Sequence, residues 1–258
     1  MIDLRQGDCL DLMKSIPNGS IDLILTDPPF GITACKWDSV IPLNLMWLEL
    51  KRIIKPNGVI ALFGSEPFSS NLRMSNIKQF KYDWIWDKGR GYNFAGVKYQ
   101  PFKSHEIVSV FSKNTHLYNP QMTEGKPYTQ KQGRKGEVYG GDNGRDVITV
   151  NNGTRYPLSI QKFIRGKCLG DHPTQKPIDF LEYLIKTYTN EGDTVLDFTA
   201  GSMSTAIACI NTNRKGIMIE MDEHYFNVGK QRVEQAILDK ENRINQAAEN
   251  SGFLLSNI

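Results

Sequence analysis

The chain has few of the residues that build metal and covalent sites. Its 258 residues include four cysteines (Cys9, Cys35, Cys168, Cys209) and four histidines. No two cysteines form a CxxC pair and no histidine cluster lies near them, which argues against a zinc ribbon and a disulfide framework. No metal is expected. Long apolar runs are missing too: no window approaches the ~18 apolar residues of a membrane span. The opening MIDLRQGDCL has no signal-peptide core. The expectation is a cytoplasmic protein with no membrane partner. Neither a GxGxxG phosphate cradle nor an internal repeat is present, and the net charge is only +3.

What is there begins with Asp27-Pro28-Pro29-Phe30, directly after the apolar run Ile21–Thr26. The run reads as a short buried strand. The two prolines end it, because proline has no N–H for the ladder and restricts the residue before it. A rigid loop results, presenting one carboxylate, one carbonyl and one aromatic face. Two acceptors beside a stacking surface suit a planar amino group such as a nucleobase amine. Ligands collect at such carboxyl ends in open α/β sheets.

Short apolar runs alternate with helical spacing from Met1 to about Lys113. Helices are expected over Asp8–Ile16, Pro42–Ile54 and Pro67–Asn76, and strands over Val59–Phe63, Tyr82–Trp86 and Ile107–Phe111. Lys55-Pro56-Asn57-Gly58 reads as a stop and turn. The rhythm breaks between 114 and 169, where glycine and polar residues dominate. From Lys113 to Cys168 ten basic residues face four acidic ones, so the rest of the chain is slightly acidic. A basic segment on such a body is the footprint of a polyanion-binding surface. The alternation returns with helix Ile178–Tyr188, strand Thr194–Phe198, helix Ser202–Ile210 and strand Gly216–Glu220. A long last helix follows, capped by Asp222. The fold class is therefore α/β, a mostly parallel sheet with helices on both faces, in one body carrying a loop-rich insertion.

Two further constellations carry chemistry. Val195–Asp197 ends a strand in an acid, and Phe198-Thr199-Ala200-Gly201-Ser202-Met203-Ser204 turns into a helix whose N–H groups can face a ligand. The next strand ends in Glu220, about 20 residues on, the spacing at which an acid accepts from a ribose diol. At the end of the insertion stands His172-Pro173-Thr174-Gln175-Lys176-Pro177, a helix entry whose Lys176 can meet a carboxylate.

The order Asp-Pro-Pro-Phe, basic insertion, His-Pro-Thr-Gln-Lys-Pro and Asp-Phe-Thr-Ala-Gly-Ser resembles the β-group amino-methyltransferases of DNA, over nearly the whole chain. The resemblance implies a class I, Rossmann-like methyltransferase with circularly permuted motifs, S-adenosylmethionine as cofactor and double-stranded DNA as partner. It implies a single catalytic domain over 1–258 with a target-recognition region at 114–169. Asp27, Pro28, Pro29 and Phe30 would then be catalytic, the acid and the Pro28 carbonyl accepting the amine hydrogens while Phe30 stacks. Asp8, Cys9, Thr174, Lys176, Asp197, Gly201, Ser202, Ser204 and Glu220 would bind the cofactor, Thr174 and Lys176 at its carboxylate. Lys131, Arg134, Lys135, Arg145 and Arg155 would meet DNA. A restriction endonuclease and a homodimer are further candidate partners, and the nucleoid a candidate location.

Cytosine-N4 members of that family usually carry Ser where this chain has Asp27, which favours adenine N6, with cytosine N4 as the alternative. A C5 mechanism needs a cysteine nucleophile, and no Pro-Cys dipeptide occurs. A glutamine-amide methyltransferase would carry Asn here. One departure stands out: Met203 replaces a glycine. Either φ is negative there, or a side chain crowds the cofactor, which leaves open a weakened DNA- and cofactor-binding module.

Overall fold

A computed structural model describes residues 1–31, 39–92, 94–132, 147–164 and 175–255. The strands are β1 (Ile2–Gln6), β2 (Ile21–Thr26), β3 (Ile54–Gly64), β4 (Phe80–Tyr92), β5 (Lys103–Phe111), β6 (Thr123–Glu124), β7 (Tyr128–Gln132), β8 (Val147–Asn151), β9 (Thr154–Arg155), β10 (Ile160–Lys162), β11 (Thr194–Asp197) and β12 (Lys215–Glu220). The helices are α1 (Cys9–Met13), α2 (Leu43–Ile53), α3 (Phe68–Ser75), α4 (Ile178–Tyr188), α5 (Ser204–Asn211) and α6 (Glu223–Leu255).

Eight strands form one sheet in the order β1-β12-β11-β2-β3-β5-β4-β10. Only β5 runs antiparallel to both of its neighbours; every other pair is parallel. Period-two alternation divides the apolar residues between two faces. Leu23, Leu25, Val59, Ala61, Phe63 and Val195 pack against α4 and α5. Ile24, Ile60, Leu62 and Leu196 pack against α1, α2 and α3. Such runs, buried on both sides, are what a parallel sheet requires. No helix among the described residues is long and apolar enough to cross a membrane.

From β2 the chain winds outward to β3, whereas β11, β12 and β1 lie on the other side. The strand order therefore reverses between β2 and β11, and Asp27 and Asp197 stand at adjacent carboxyl ends. A crevice opens at such a switch point.

Three details depart from the sequence reading. Ile2–Gln6 is a strand, completed by pairing with β12. α2 does stop at Ile53, just ahead of Lys55–Gly58, but that segment lies inside β3 as an irregularity, where the β2 register slips between Ile21 and Leu23, rather than as a turn between elements. Finally, the 114–169 span is not all loop. Pro120–Leu158 forms a compact unit of its own, built from two antiparallel ribbons, β6 with β9 and β7 with β8. β10 belongs to the main sheet, beside β4.

Candidate active site

A cavity of about 980 Å³ opens at the switch point, lined by residues that follow β1, β2, β11 and β12 and by Trp86, Lys88, Tyr92 and Glu106 of β4 and β5. All four Asp-Pro-Pro-Phe residues line it. Phe30 is half-buried against Phe68 of α3, ring centroids 5.0 Å apart.

Asp27 is the most constrained member. Its Oδ2 is ion-paired with Lys176, while its Oδ1 is buried with no hydrogen-bond partner among the described residues. Lys176 Nζ also lies 3.4 Å from Glu106 Oε2 and 5.0 Å from the Phe63 ring centroid. Glu106 Oε1 is paired in turn with Lys88, whose Nζ sits 4.9 Å over Trp86 and 4.7 Å over Tyr92. Four charges of alternating sign thus form a chain, Lys88–Glu106–Lys176–Asp27. Burial pushes the Asp27 carboxyl above its usual range, and the Lys176 cation opposes that rise. Burial also works against the Lys176 charge, but Asp27 and Glu106 outweigh it and raise its pKa. Glu106 is buried too, yet its two lysines hold it below the ordinary carboxylate range. Lys176, expected at the cofactor's carboxylate, lines the cavity with its ammonium paired to Asp27 and Glu106.

Asp197 is likewise engaged by the protein itself. It lines the cavity, but its carboxyl is bound into the fold. Thr205 Oγ1 donates to Oδ2 (2.6 Å), and the Thr199 N–H donates to Oδ1 (3.2 Å). Thr26 Oγ1 lies 2.5 Å from Oδ1 and 2.6 Å from Thr199 Oγ1, which donates to the Asp27 carbonyl (3.0 Å). Burial pushes the Asp197 carboxyl up to about 6, against the pull of the threonine donors. The network ties the turn after β11 to the loop after β2.

Asp8 caps α1, accepting from the Leu10 N–H (2.7 Å), and both Asp8 and Cys9 line the cavity. Burial, with Asp8 adding to it, pushes the Cys9 thiol up to about 12, so it is a neutral, poor nucleophile at neutral pH. Glu220 accepts from Gly201 N–H at Oε2 (2.7 Å) and from Asp222 N–H at Oε1 (2.8 Å), holding the glycine turn against the end of β12. Burial raises its pKa. Gly201, Ser202 and Ser204 line the cavity, and the buried Ser204 Oγ has no partner among the described residues.

Met203 settles the departure noted above. Its φ is +62°, left-handed, so the negative-φ alternative is overturned. Crowding does not follow, because the side chain is fully buried and is not among the lining residues. It fills the space over Gly229 of α6, where an added Cβ would come within 2.2 Å of Met203 Cγ. Gly229→Ala is expected to destabilise the fold by about 1–3 kcal/mol through overpacking. In a Met203→Ala background the same change should cost much less. Urea midpoints of the two single variants and the double variant check this; strictly additive losses would mean that the two side chains do not meet.

Several participants left no motif in the sequence: Glu106, Lys88, Thr26 and Arg232, which donates to the Ser202 carbonyl from α6. A lone acid within Lys103–Phe111 was the one available signal for Glu106. Thr174, Arg134, Lys135 and Arg145 lie outside the described residues. Lys131 is exposed on β7, opposite Ile148. Arg155 bonds Asn151, the Thr154 carbonyl and the Lys126 carbonyl and lies 4.7 Å over Tyr128, so its guanidinium staples the small unit together.

Residues 21–231 match the family model described as DNA methylase. The chain is 29% identical over 257 residues to the DNA adenine methyltransferase YhdJ of Escherichia coli (strain K12), covering 89% of this chain and 82% of that protein. Among solved structures it resembles M1.HpyAVI in its SAM complex, with a TM-score of 0.63, 22% identity, and coverage of 90% of this chain and 100% of that one. It also resembles the cytosine-N4-specific PvuII DNA methyltransferase, with a TM-score of 0.65, 19% identity, and coverage of 94% and 92%. The match to the family model over most of this chain's length makes it a member of the DNA methylase family.

Proposed function

We propose that the chain transfers a methyl group from S-adenosylmethionine to the exocyclic N6 amine of an adenine drawn out of duplex DNA. The observation that carries this is Asp27 Oδ1, a buried acceptor without a partner among the described residues, on a loop that two prolines hold rigid at the cavity wall. Such an atom is costly to leave unmet, and an amine hydrogen satisfies it. Asp at this position, and the adenine named for the relative YhdJ, favour N6 over cytosine N4.

The cavity fits the cofactor. Its volume is at the upper end of the about 300–1,000 Å³ of small-molecule sites, with room for a second planar group. The unpartnered Ser204 Oγ and the remaining acceptor capacity of Glu220 face a nucleoside with a polar tail. Asp8, Cys9, Gly201, Ser202, Ser204 and Glu220 would hold it. When bound, the cofactor supplies an electrophilic methyl group on a sulfonium.

The protein's own contribution is alignment. An aromatic amine is a weak nucleophile because its lone pair is delocalised into the ring. Asp27 Oδ1 and the Pro28 carbonyl accept its two hydrogens, draw the nitrogen toward sp³ geometry and free the lone pair for in-line attack. Phe30 stacks on the ring, and the fixed loop supplies proximity. Extrusion of the base costs roughly a few kcal/mol of stacking and pairing. The basic residues of the 114–169 span, Lys131, Arg134, Lys135 and Arg145, are assigned to the duplex; a cognate restriction endonuclease and a second copy of the chain are candidate partners on family grounds.

Methylation-site sequencing of DNA from cells expressing the protein tests the proposal. Modified adenines in one recurring sequence, absent with Asp27→Ala, are expected. DNA without new methylation, or methylation of cytosine alone, contradicts it.

A further inference from the structure

The hairpin formed by β4 and β5 does not end where the sheet ends. Between Lys88 and Lys103 the sequence carries four basic residues (Lys88, Arg90, Lys98, Lys103), four aromatic ones (Tyr92, Phe94, Tyr99, Phe102) and no acid. The first part of this run lines the cavity through Lys88 and Tyr92. Beyond it the chain forms a built tip. A 3-10 turn spans Phe94–Gly96, and the Gly96 carbonyl accepts from the N–H groups of Tyr99 (2.9 Å) and Gln100 (3.1 Å). Phe102 lies directly on Gly91, where a Cβ would come within 2.7 Å of it. Phe94 stands edge-on to Phe102 at 5.6 Å.

This tip presents what folded proteins usually bury. Phe94 is 74% exposed, Tyr99 91% and Phe102, beside the Gly91 backbone, 50%. Arg90, which lies over the Tyr92 ring and donates to its hydroxyl, and Lys98 are exposed as well. Exposed aromatic faces set among cations, with no acid, suit a polyanion whose bases can be stacked upon. The occupant that fits is the DNA around the target, because the same strand runs from the tip to the catalytic cavity. Removing a base from a duplex leaves its neighbours and its partner without a stacking surface, and apolar or aromatic side chains take that place in other DNA-deforming proteins.

Resting on the reading that the adenine is drawn out of the helix, we propose that the β4–β5 tip is a second DNA contact, separate in sequence from the 114–169 span. Phe94, supported by Phe102, stacks with Tyr99 on bases exposed by that extrusion, while Arg90, Lys98 and Lys103 meet the flanking phosphates.

The test uses the full-length protein and a synthetic duplex carrying the sequence identified by methylation-site sequencing. Methyl transfer is compared on that duplex and on one whose target adenine faces an abasic position. Phe94→Ala/Tyr99→Ala should lower kcat/KM at least about 10-fold on the paired duplex and under about 3-fold on the pre-opened one, where less stacking is at stake. Thermal midpoint and cofactor affinity should match wild type, and Phe94→Trp should retain activity. Equal losses on both duplexes, or no loss on either, overturn the proposal. Wild-type protein that methylates no duplex overturns the functional reading itself, and with it this one, before any variant is made.

Discussion

Asp27→Ala is expected to lower methyl transfer to DNA at least about 100-fold, the scale on which removal of one positioned transition-state partner acts elsewhere. S-adenosylmethionine affinity should be nearly unchanged, because Asp27 acts on the base. The variant loses the acceptor Oδ1 and leaves Lys176 with Glu106 as its counter-ion. Calorimetric titration with the cofactor shows whether the site is still folded, and single-turnover transfer measures the chemistry. Activity above a tenth of wild type in a variant that still binds cofactor would remove Asp27 from the reaction.

Lys176→Met is expected to act on the same step through charge. Asp27 is raised by burial and held down mainly by Lys176, with Glu106 pushing it further up. Without the cation its pKa climbs higher, so the ionised acceptor forms only at higher pH. The acid limb of kcat against pH should therefore move to higher pH, and kcat near neutrality should fall. Lys176→Arg should restore part of the activity. Adding Glu106→Gln to Lys176→Met removes the like charge and should move the limb back down. Stability should drop by about 3–5 kcal/mol in the single variant, as when one partner of a buried pair is lost. The cofactor's dissociation constant separates this role from the one expected from sequence. A change below about 3-fold, less than 1 kcal/mol, fits a lysine that serves Asp27, whereas a large loss with an unmoved pH profile fits one that holds the cofactor's carboxylate.

The loop after β2 was legible because its determinants are local: an apolar strand, two prolines and an acid between them. The turn after β11 and Glu220 were legible for the same reason, as each ends a strand and points to a known kind of ligand. What could not be read arises from pairing across the sheet. Trp86 lies opposite Glu106 only through the antiparallel register of β4 and β5, and that register carries Lys88 and Glu106 to Asp27. β1 is short, with charged residues at Asp3 and Arg5, and becomes a strand through β12, more than 200 residues away. The ribbons of 120–158 have polar, glycine-rich sequences, where local pattern is weakest. Met203 shows the limit most clearly. A missing glycine in the turn looks like a defect until Gly229, on a helix 26 residues later, is seen to make room for the side chain.

The most direct test of the central claim is to incubate duplex DNA with isotope-labelled S-adenosylmethionine and the purified protein, digest the DNA to nucleosides, and identify the labelled product by mass spectrometry. The account predicts label in N6-methyladenine with the wild-type chain and none above background with Asp27→Ala. Label in N4-methylcytosine or 5-methylcytosine, or N6-methyladenine formed equally by both proteins, would contradict it.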